Sequence, residues 1–416
     1  MMRARATVFR IGLVLGLGAA LGAACGKPAP AAHPAPEAVG RARPVAPLPP
    51  LAAAKEHLEG SRYGEAERGF RSELSGKNRV PATLGLAETL LATGRYVEAV
   101  ELLRGLDDPA EATRAARAAL EGRALVRQGK LADAEKVLRS VESVESAHDA
   151  RLVLGELLIE LGRRKDARAP LMALIEAYNA ERFAPEHGHE LALVGRAAYL
   201  LRSPRDANEA YSEAEASGVF DRQLLLWRAE LFLEKYDPGK AEEVLNDLLE
   251  RAPNDADALV AMAHVRLDQA LDFDEAEKLV RRALAVNPKL PEAYFVLGGV
   301  ALRDQEVELV ERHVVDGLAI RPGDLRLLSL RAAARFVGAD PARFEESRRE
   351  VLSRNPEYSA LYAIVGEYAD WEHRYDAIVE LMREAVKLDP DDPVALASLG
   401  VNLMRAGREK DSVTAL

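Results

Sequence analysis

This chain of 416 residues has few aromatic side chains and almost no cysteine. Aromatic residues make up 5% of it, and Cys25 is its single cysteine. One cysteine excludes an internal disulfide framework and a cysteine-rich zinc site. No run of alternating Val, Ile and Thr is bounded by turn residues, so we expect no strands. Ala, Leu, Glu and Arg dominate and 30% of residues are charged, which is typical of a helical protein whose helices pack closely.

Net charge changes sign near residue 50. Residues 1–50 carry six basic side chains and one acidic one, whereas residues 51–416 carry a net charge of −16. Binding to a phosphate backbone requires clustered Lys and Arg, so we expect no nucleic-acid partner. The acidic charge fits the solvated outside of many helices better than the recruitment of a specific partner.

The N-terminal segment, residues 1–25, differs from the rest of the chain. Three arginines precede an uncharged apolar stretch over residues 11–24, which ends at Cys25. A membrane-spanning helix needs about 20 apolar residues, so this stretch is too short to span a bilayer comfortably. The pattern indicates an export signal over residues 1–25.

The sequence LGAAC at the end of this signal resembles the lipobox of bacterial lipoproteins. It departs from that pattern because Leu21 lies four residues before Cys25, and Gly22 stands where the family usually has leucine. The resemblance implies acylation of Cys25 and a lipid-anchored protein of the bacterial cell envelope that faces the periplasm. The alternative is ordinary signal cleavage, which the small residues Gly22 and Ala24 also suit, and a secreted chain with a free cysteine.

Residues 26–50 are rich in proline and alanine. They contain eight prolines and no apolar periodicity. Such a segment favours the polyproline II conformation, at about 3.1 Å per residue, so that the whole of it reaches up to roughly 75 Å. We therefore predict a tether between an anchor and a folded region.

Prolines recur at a nearly constant interval in the second half of the chain. They are Pro253, Pro288, Pro322, Pro356 and Pro390. Each lies in a short polar setting, where proline ends one helix and allows the next to begin. A period of about 34 residues indicates an internal repeat.

Further residues match when each proline is placed at position 32 of a unit. The unit from 257 has Ala276 at position 20 and Ala283 at position 27, and the unit from 393 has Gly400 at position 8. These residues resemble the tetratricopeptide repeat, a helix-turn-helix of about 34 residues with small side chains at positions 8, 20 and 27. Small residues there let the two helices of a unit touch. The resemblance implies an all-α fold, a right-handed α-solenoid.

The pattern extends towards the N-terminus with weaker phasing. Unit starts fall near 47, 80, 115, 148, 188, 222, 257, 291, 325, 359 and 393, which predicts about ten units and a partial eleventh over residues 51–416. The step from 148 to 188 is about six residues longer than the repeat period. The unit from 325 is degenerate, with Phe344 where alanine belongs. Leu416 is position 24 of its unit, so we expect the natural chain to continue into a further domain.

In this repeat family, positions 2, 5, 9, 12 and 13 line the concave face that holds peptides or partner helices. Position 9 is Glu or Arg in the five units from 80 to 222, and Val, Gly or Ala in the units from 257 to 325. We expect a partner to bind an apolar stretch of the later units with acidic flanks. Its residues are Ala261, Val265, Asp268, Phe295, Gly299, Leu302, Phe336, Val337, Glu367 and Trp371. The alternative is that the unit from 325 is rotated and these side chains belong to the core.

Histidines and carboxylates form no catalytic constellation in the sequence. The cluster EHGHE at residues 186–190 lacks the later histidine of HExxH and fits a polar loop better than a metal site. Gly-rich nucleotide loops and GxSxG are absent. Position 5 holds no Lys and position 9 no Asn in the units from 80 onwards, which excludes a clamp for acidic C-terminal tails. We predict no catalysis, no cofactor and no metal.

Two functions remain. The first is a non-catalytic scaffold that binds a peptide or partner protein on its concave surface. The second rests on the layout of the units, including residues 226–245 and 385–408, which resembles bacterial proteins whose repeats precede a gluzincin-type peptidase domain. That resemblance implies the N-terminal repeat arm of a longer secreted zinc metallopeptidase, with its catalytic domain beyond residue 416.

Overall fold

The computed structural model describes residues 48–234, 237–370 and 374–415. Its regular structure there is 22 α-helices and one π-helical turn, Arg266–Ala270. In chain order the helices are α1 Pro50–Glu59, α2 Tyr63–Ser72, α3 Arg79–Ala92, α4 Tyr96–Arg104, α5 Glu111–Arg127, α6 Leu131–Arg139, α7 His148–Glu160, α8 Arg164–Asn179, α9 Gly188–Leu200, α10 Pro204–Ala216, α11 Arg222–Glu234, α12 Pro238–Arg251, α13 Ala256–Val265, α14 Phe273–Val286, α15 Pro291–Arg303, α16 Val307–Ile320, α17 Leu325–Val337, α18 Pro341–Arg354, α19 Ala360–Asp370, α20 Tyr375–Leu388, α21 Pro393–Arg405 and α22 Glu409–Ala415. The predicted signal, the lipidation site Cys25, nearly all of the tether and Trp371 lie outside the described residues.

The helices pack in sequential pairs, in which the odd-numbered helix A is followed by the even-numbered helix B. Helix A of a unit also packs against helix A of the next, as α5 does with α7 and α17 with α19. The buried side chains lie between these helices and form cores that follow one another along the chain. The predicted all-α, right-handed α-solenoid is confirmed.

Glycine at position 8 faces a bulky side chain at position 24 of the same unit. A Cβ atom added to Gly122 would lie 2.6 Å from Leu138, and one added to Gly155 would lie 2.5 Å from Leu171. Both distances are far below van der Waals contact, so any larger residue would push helix B away. This close approach explains why the repeat needs a small residue at position 8.

Position 15 lies in the turn between helices A and B and is left-handed in every unit whose turn is described. It is glycine in four units, Gly94, Gly129, Gly162 and Gly407, with φ between 71° and 75°. The other five are Ser61, Arg202, Leu271, Gln305 and Ala339, with φ between 52° and 64°. Left-handed backbone disfavours residues that carry a Cβ atom. Its recurrence at position 15 gives even the degenerate unit from 325 the same register as the others.

Successive coils of the superhelix are in contact. The first coil, α1–α10, touches the second coil, α11–α22. Hydrogen bonds between the turns of the two coils join residues 187 to 196 positions apart, which corresponds to between five and a half and six repeats. At one end, Ser61 Oγ accepts a hydrogen bond from the backbone N–H of Asn254, at 2.9 Å. At the other, the Arg202 guanidinium donates to the Asp389 carboxylate. We call this line of contacts the seam.

The middle of the seam joins turns of two different kinds. Turns between helices A and B of the first coil face turns between units of the second coil. The Asn287 amide donates to Tyr96 Oη at 3.1 Å, and that hydroxyl donates to the carbonyl of Lys289 at 2.8 Å. The Asn355 amide donates to the carbonyl of Glu160 at 3.0 Å, so it satisfies an end of α7 from the other coil.

Glycine at position 15 is what permits this approach. A Cβ atom on Gly94 would overlap the Asn287 side chain, and one on Gly162 would lie 2.5 Å from Asn355 Oδ1. Gly407, in the second coil, has no such neighbour within 4 Å. The glycines of the first coil and the Asn-Pro turns of the second are therefore complementary parts of one contact.

Candidate binding site between the coils

The apolar stretch predicted on the concave wall is largely buried. Val265, Leu302 and Phe295 are only 2%, 3% and 7% exposed, and Gly299 is also buried. Ala261, Phe336 and Val337 are half-buried. The expectation of an exposed apolar patch is therefore wrong at the buried positions. These side chains are core, as in the alternative, but without the rotation of the unit from 325 that the alternative assumed.

Neighbouring A helices of the second coil cover these side chains. The guanidinium of Arg326 lies 4.4 Å from the centre of the Phe295 ring, and the His264 ring lies 5.5 Å from it. Gly299 is packed so closely that an added Cβ atom would lie 2.5 Å from Tyr368 Oη. Positions 5, 9 and 12 thus face the adjacent helix A in this coil, which is why the family pattern overstated their exposure.

The two acidic residues predicted to flank the stretch share one arginine. Arg303, whose side chain is only 3% exposed, lies 2.7 Å from Glu367 and 3.6 Å from Asp268. Loss of contact with water and the negative charge of Asp268 raise the pKa of Glu367, while Arg303 opposes this shift. These carboxylates therefore belong to an ion-pair cluster around buried Arg303, although the Glu367 side chain itself is 44% exposed.

The concave face of the first coil carries a ladder of charges at position 9. The Arg196 guanidinium donates to Glu156 in the preceding unit and to Glu230 in the following one, both at 2.8 Å. Nearby, Arg123 donates to Asp149 at 2.9 Å. The alternation of Glu and Arg at position 9 is visible in the sequence, but the sequence analysis did not predict that these residues form ion pairs between neighbouring units.

The histidine cluster at residues 186–190 contributes an ion pair. His189 Nδ1 lies 2.6 Å from Asp221 and its Nε2 lies 3.2 Å from Asp149. Although burial alone would lower it, hydrogen bonds and charge from the two aspartates raise the pKa of His189 to about 10. Both ring nitrogens are engaged, and no group of three or more metal-ligating side chains is arranged to hold a metal within the described residues.

A cavity of about 480 Å³ lies on the inner side of the superhelix, where the two coils meet. Its first-coil wall includes Ile159, Tyr199 and Leu200 from the C-terminal turns of α7 and α9. Its second-coil wall includes Tyr358 and Val394, next to the N-terminal ends of α19 and α21. None of the nine predicted residues that the structure describes lines this cavity, although it includes positions 9, 12 and 13 of the units from 148 and 188.

Most charged groups around the cavity are already paired. The Arg321 guanidinium lies 2.5 Å from Glu160 and 3.1 Å from Asp324, and Arg202 binds Asp389 across the seam. Arg164, the first residue of α8, also lines the cavity and has no hydrogen-bond or ion-pair partner among the described residues. Arg164 is an exposed residue, and the protein atoms around it and the charge of Arg202 lower its pKa.

The fold and the cavity define the class of this protein: a solenoid of helical hairpins with a ligand-sized space between its coils. The sequence profile described as the tetratricopeptide repeat matches residues 51–113, 119–181, 195–256 and 261–309, more than half of the chain. The chain belongs to the tetratricopeptide repeat family.

One relative and two solved structures are similar to this chain. A TPR repeat-containing protein of Pseudomonas aeruginosa is 30% identical over 169 residues, which are 40% of this chain and 27% of the relative. The chain thus aligns with about a quarter of that protein's length. A tetratricopeptide repeat protein from Parabacteroides merdae is similar at 19% identity and a TM-score of 0.42, over 62% of this chain and 98% of that one. Yeast Tom70 is similar at 13% identity and a TM-score of 0.41, over 88% and 90%.

None of the described helices combines the length and the apolar character that crossing a bilayer requires.

Proposed function

We propose that this protein is a non-catalytic scaffold that holds a segment of a partner protein in the cavity between its coils. Tetratricopeptide repeats typically mediate protein–protein interaction, which supports the general role. The observation that carries the proposal is the cavity itself, because its walls come from both coils on the inner side of the superhelix. Its volume of about 480 Å³ lies within the range of roughly 300–1,000 Å³ that ligand pockets occupy.

The walls suit a polypeptide segment. Tyr199, Leu200, Tyr358 and Val394 offer apolar surface, while the paired arginines and carboxylates between them offer polar contacts. A few placed polar groups within apolar walls fix the orientation of a bound chain. In this proposal the buried residues Val265, Phe295 and Leu302 hold the second coil in place and do not touch the partner.

Two variants on one helix test this function. Val394 and Val401 both lie on α21 and are 37% and 41% exposed, but only Val394 lines the cavity. We expect Val394→Trp to fill the space and abolish capture of the partner from envelope extract, whereas Val401→Trp retains it. Equal capture by both variants would place the partner elsewhere.

We also propose that the scaffold is exported and anchored to the bacterial cell envelope through Cys25. The proposal is supported by the export signal of residues 1–25 and the lipobox-like LGAAC. The tether of residues 26–50 gives the folded repeats a reach of up to roughly 75 Å from the membrane.

The arm of a longer zinc metallopeptidase stays a second proposal, supported by the layout of the repeats over residues 226–245 and 385–408. Its test is the coding sequence downstream of residue 416. A continuous reading frame with HExxH and a later glutamate would support it. A stop codon directly after residue 416 would contradict it.

A further inference from the structure

We propose that the seam opens reversibly at its cavity end, that the ion pair between Arg202 and Asp389 controls this opening, and that the open form gives access to the cavity. We call this ion pair the latch. The access step rests on the proposed function, whereas the opening is a property of this chain alone. What holds the two coils to each other differs in kind from what holds each coil together.

Apolar packing stabilises each coil along the chain but does not bridge the seam. Within the described residues, the buried apolar side chains form clusters that consist of neighbouring units. Where such a cluster joins the two coils, it does so at α11, which directly follows α10, through residues such as Trp227. Burial of apolar surface is the dominant stabilising term in folding. Each coil therefore has a core that does not depend on the seam.

Charged and polar groups hold the seam instead. In addition to the hydrogen bonds between turns, Arg127 lies 2.7 Å from Glu292, and Glu59 lies 2.6 Å from Arg251. These four side chains remain between 29% and 49% exposed. Ion pairs in contact with water contribute little each, and salt screens them. The coils should therefore separate along the seam more easily than the units unfold.

Arg202 crosses the seam in a way that the middle of the first coil does not. There, position 15 is glycine, at Gly94, Gly129 and Gly162, and the turn itself lies against the second coil. Arg202 has the same left-handed backbone, with φ at 64°, but its guanidinium donates to the Asp389 carboxylate. Left-handed backbone is unfavourable for a residue that carries a Cβ atom. The side chain of Arg202 thus serves the contact between coils and not the conformation of its own turn.

The latch is also part of the cavity wall. Arg202 and Asp389 both line the cavity, one from each coil. Their side chains are 26% and 14% exposed, so water screens this pair less than the pairs at Arg127 and Glu59. Asp389 directly follows α20, and the next helix, α21, carries the cavity residue Val394. When the latch breaks, α21 can move away from the first coil and widen the cavity.

Spin labels on both sides of the latch measure the opening in the full chain. Arg205→Cys and Asp391→Cys place labels at exposed positions next to the two partners, in a Cys25→Ser background that has no other cysteine. Double electron–electron resonance gives the distance between the labels. We expect a short distance in the otherwise wild-type chain. In Arg202→Gly a longer distance should increase about tenfold in population, since hydrogen bonds between charged groups contribute that order of free energy.

Salt should act in the same direction on the intact latch. Raising NaCl from about 0.1 M to about 1 M shortens the Debye length from about 10 Å to about 3 Å. The population at the longer distance should therefore grow with salt. A population that stays constant over this range would contradict a seam held by charges.

Thiol reactivity measures access to the cavity itself. Leu200→Cys places a thiol on the cavity wall, and Val401→Cys places one on α21 outside the cavity. A maleimide that carries a polyethylene glycol chain is too bulky for the closed cavity. Arg202→Gly should accelerate its reaction with Leu200→Cys about tenfold, in step with the open population, and leave its reaction with Val401→Cys unchanged.

Matched variants attribute the opening to the latch. Arg202→Gly introduces the residue that three other units of the first coil have at position 15, so the turn accommodates it. Gln305→Gly is its control, because Gln305 is exposed on the second coil and holds φ at 60° at the same position. Asp389→Ala removes the other partner and should act like Arg202→Gly. The exchange of Arg202→Asp with Asp389→Arg should restore the short distance.

Several outcomes would overturn the inference. They are an unchanged distance in Arg202→Gly, equal opening in Gln305→Gly, or no recovery in the exchanged pair. Labels at Lys165→Cys and Arg205→Cys, both in the first coil, should keep their distance in every variant; a longer distance there would indicate unfolded units instead of an open seam. Opening without faster reaction of Leu200→Cys would refute the access step.

The opening and the proposed function can fail separately. If Val394→Trp abolishes partner capture while Arg202→Gly changes neither distance nor reactivity, the scaffold function stands and the latch is wrong. If Arg202→Gly opens the seam while Val394→Trp still captures the partner, the latch stands and the cavity is not the binding site.

Discussion

Replacing Gly94 by alanine should open the seam locally, and the same change at Gly407 should not. Both glycines are at position 15 with nearly equal φ values, 75° and 73°. Each substitution therefore carries the same backbone cost of about 1–2 kcal/mol for a Cβ atom in left-handed conformation. Only at Gly94 does that atom meet the other coil, where it would overlap the Asn287 side chain.

The additional cost at Gly94 follows from what Asn287 does. Asn287 is 3% exposed, its side-chain amide donates to Tyr96 Oη, and its side-chain oxygen Oδ1 accepts from the backbone N–H of Lys289 at 3.0 Å. A displaced Asn287 loses these bonds, at about 0.5–1.5 kcal/mol each. We expect about 1–3 kcal/mol beyond the backbone cost, which is roughly a 5- to 150-fold change in a local opening equilibrium.

Hydrogen exchange measured by mass spectrometry reads this opening directly, because each amide reports its local free energy. Exchange in peptides covering residues 287–290 should accelerate in Gly94→Ala and remain at the wild-type rate in Gly407→Ala. An unchanged rate in Gly94→Ala, or the same acceleration in both variants, would refute the seam.

Four further predictions concern single side chains. Ala339→Gly should stabilise the protein by about 1 kcal/mol, since exposed Ala339 holds φ at 54°; an unchanged midpoint in urea would contradict this. His189→Gln should lower the melting temperature most below pH 6.5 and progressively less towards pH 10. The pKa of His189 is raised to about 10, so the stability that its charged form contributes is lost as pH rises through that value. A difference in melting temperature between wild type and variant that grows with pH would contradict the raised pKa. Phe295→Glu should sharply lower the melting temperature, since Phe295 is 7% exposed, whereas Val401→Glu, at a 41% exposed site, should not; equal effects would show that Phe295 is not core. Cys25→Ser should abolish labelling by a fatty-acid analogue, and an unlabelled wild type would reject the anchor.

The fold was predictable because each repeat is determined by residues close together in the sequence. Regularly spaced prolines and small residues such as Gly155 and Ala276 determine where helices end and how closely they pack. These constraints act within one unit or between neighbours, which is the range that periodicity in a sequence reports.

The apolar wall was predicted incorrectly because exposure depends on the neighbouring unit. Phe295 and Gly299 occupy positions that face the groove in the family pattern, yet Arg326 and Tyr368 cover them here. Those covering side chains lie on later helices. Their reach depends on the angle between units, which no single unit specifies.

The seam corresponds to a pattern of prolines and glycines in the sequence that only the superhelix explains. Regular prolines begin at Pro253, about one superhelical turn into the chain, and glycines at position 15 stand in the first coil at Gly94, Gly129 and Gly162. Each of these glycine turns and proline turns resembles an ordinary turn by itself. The two are partners only because small rotations between units add up to a full turn after about five and a half to six repeats.

The most direct test of the account is site-specific photocrosslinking in envelope extract. A photoreactive amino acid replaces Leu200 of the first coil, Val394 of the second coil or, as control, Val315, which is 51% exposed on α16 and does not line the cavity. If both coils form one binding site, Leu200 and Val394 crosslink to the same segment of the same partner and Val315 does not. Crosslinks from Val315 alone, or different partners at Leu200 and Val394, would contradict a single binding site formed by both coils.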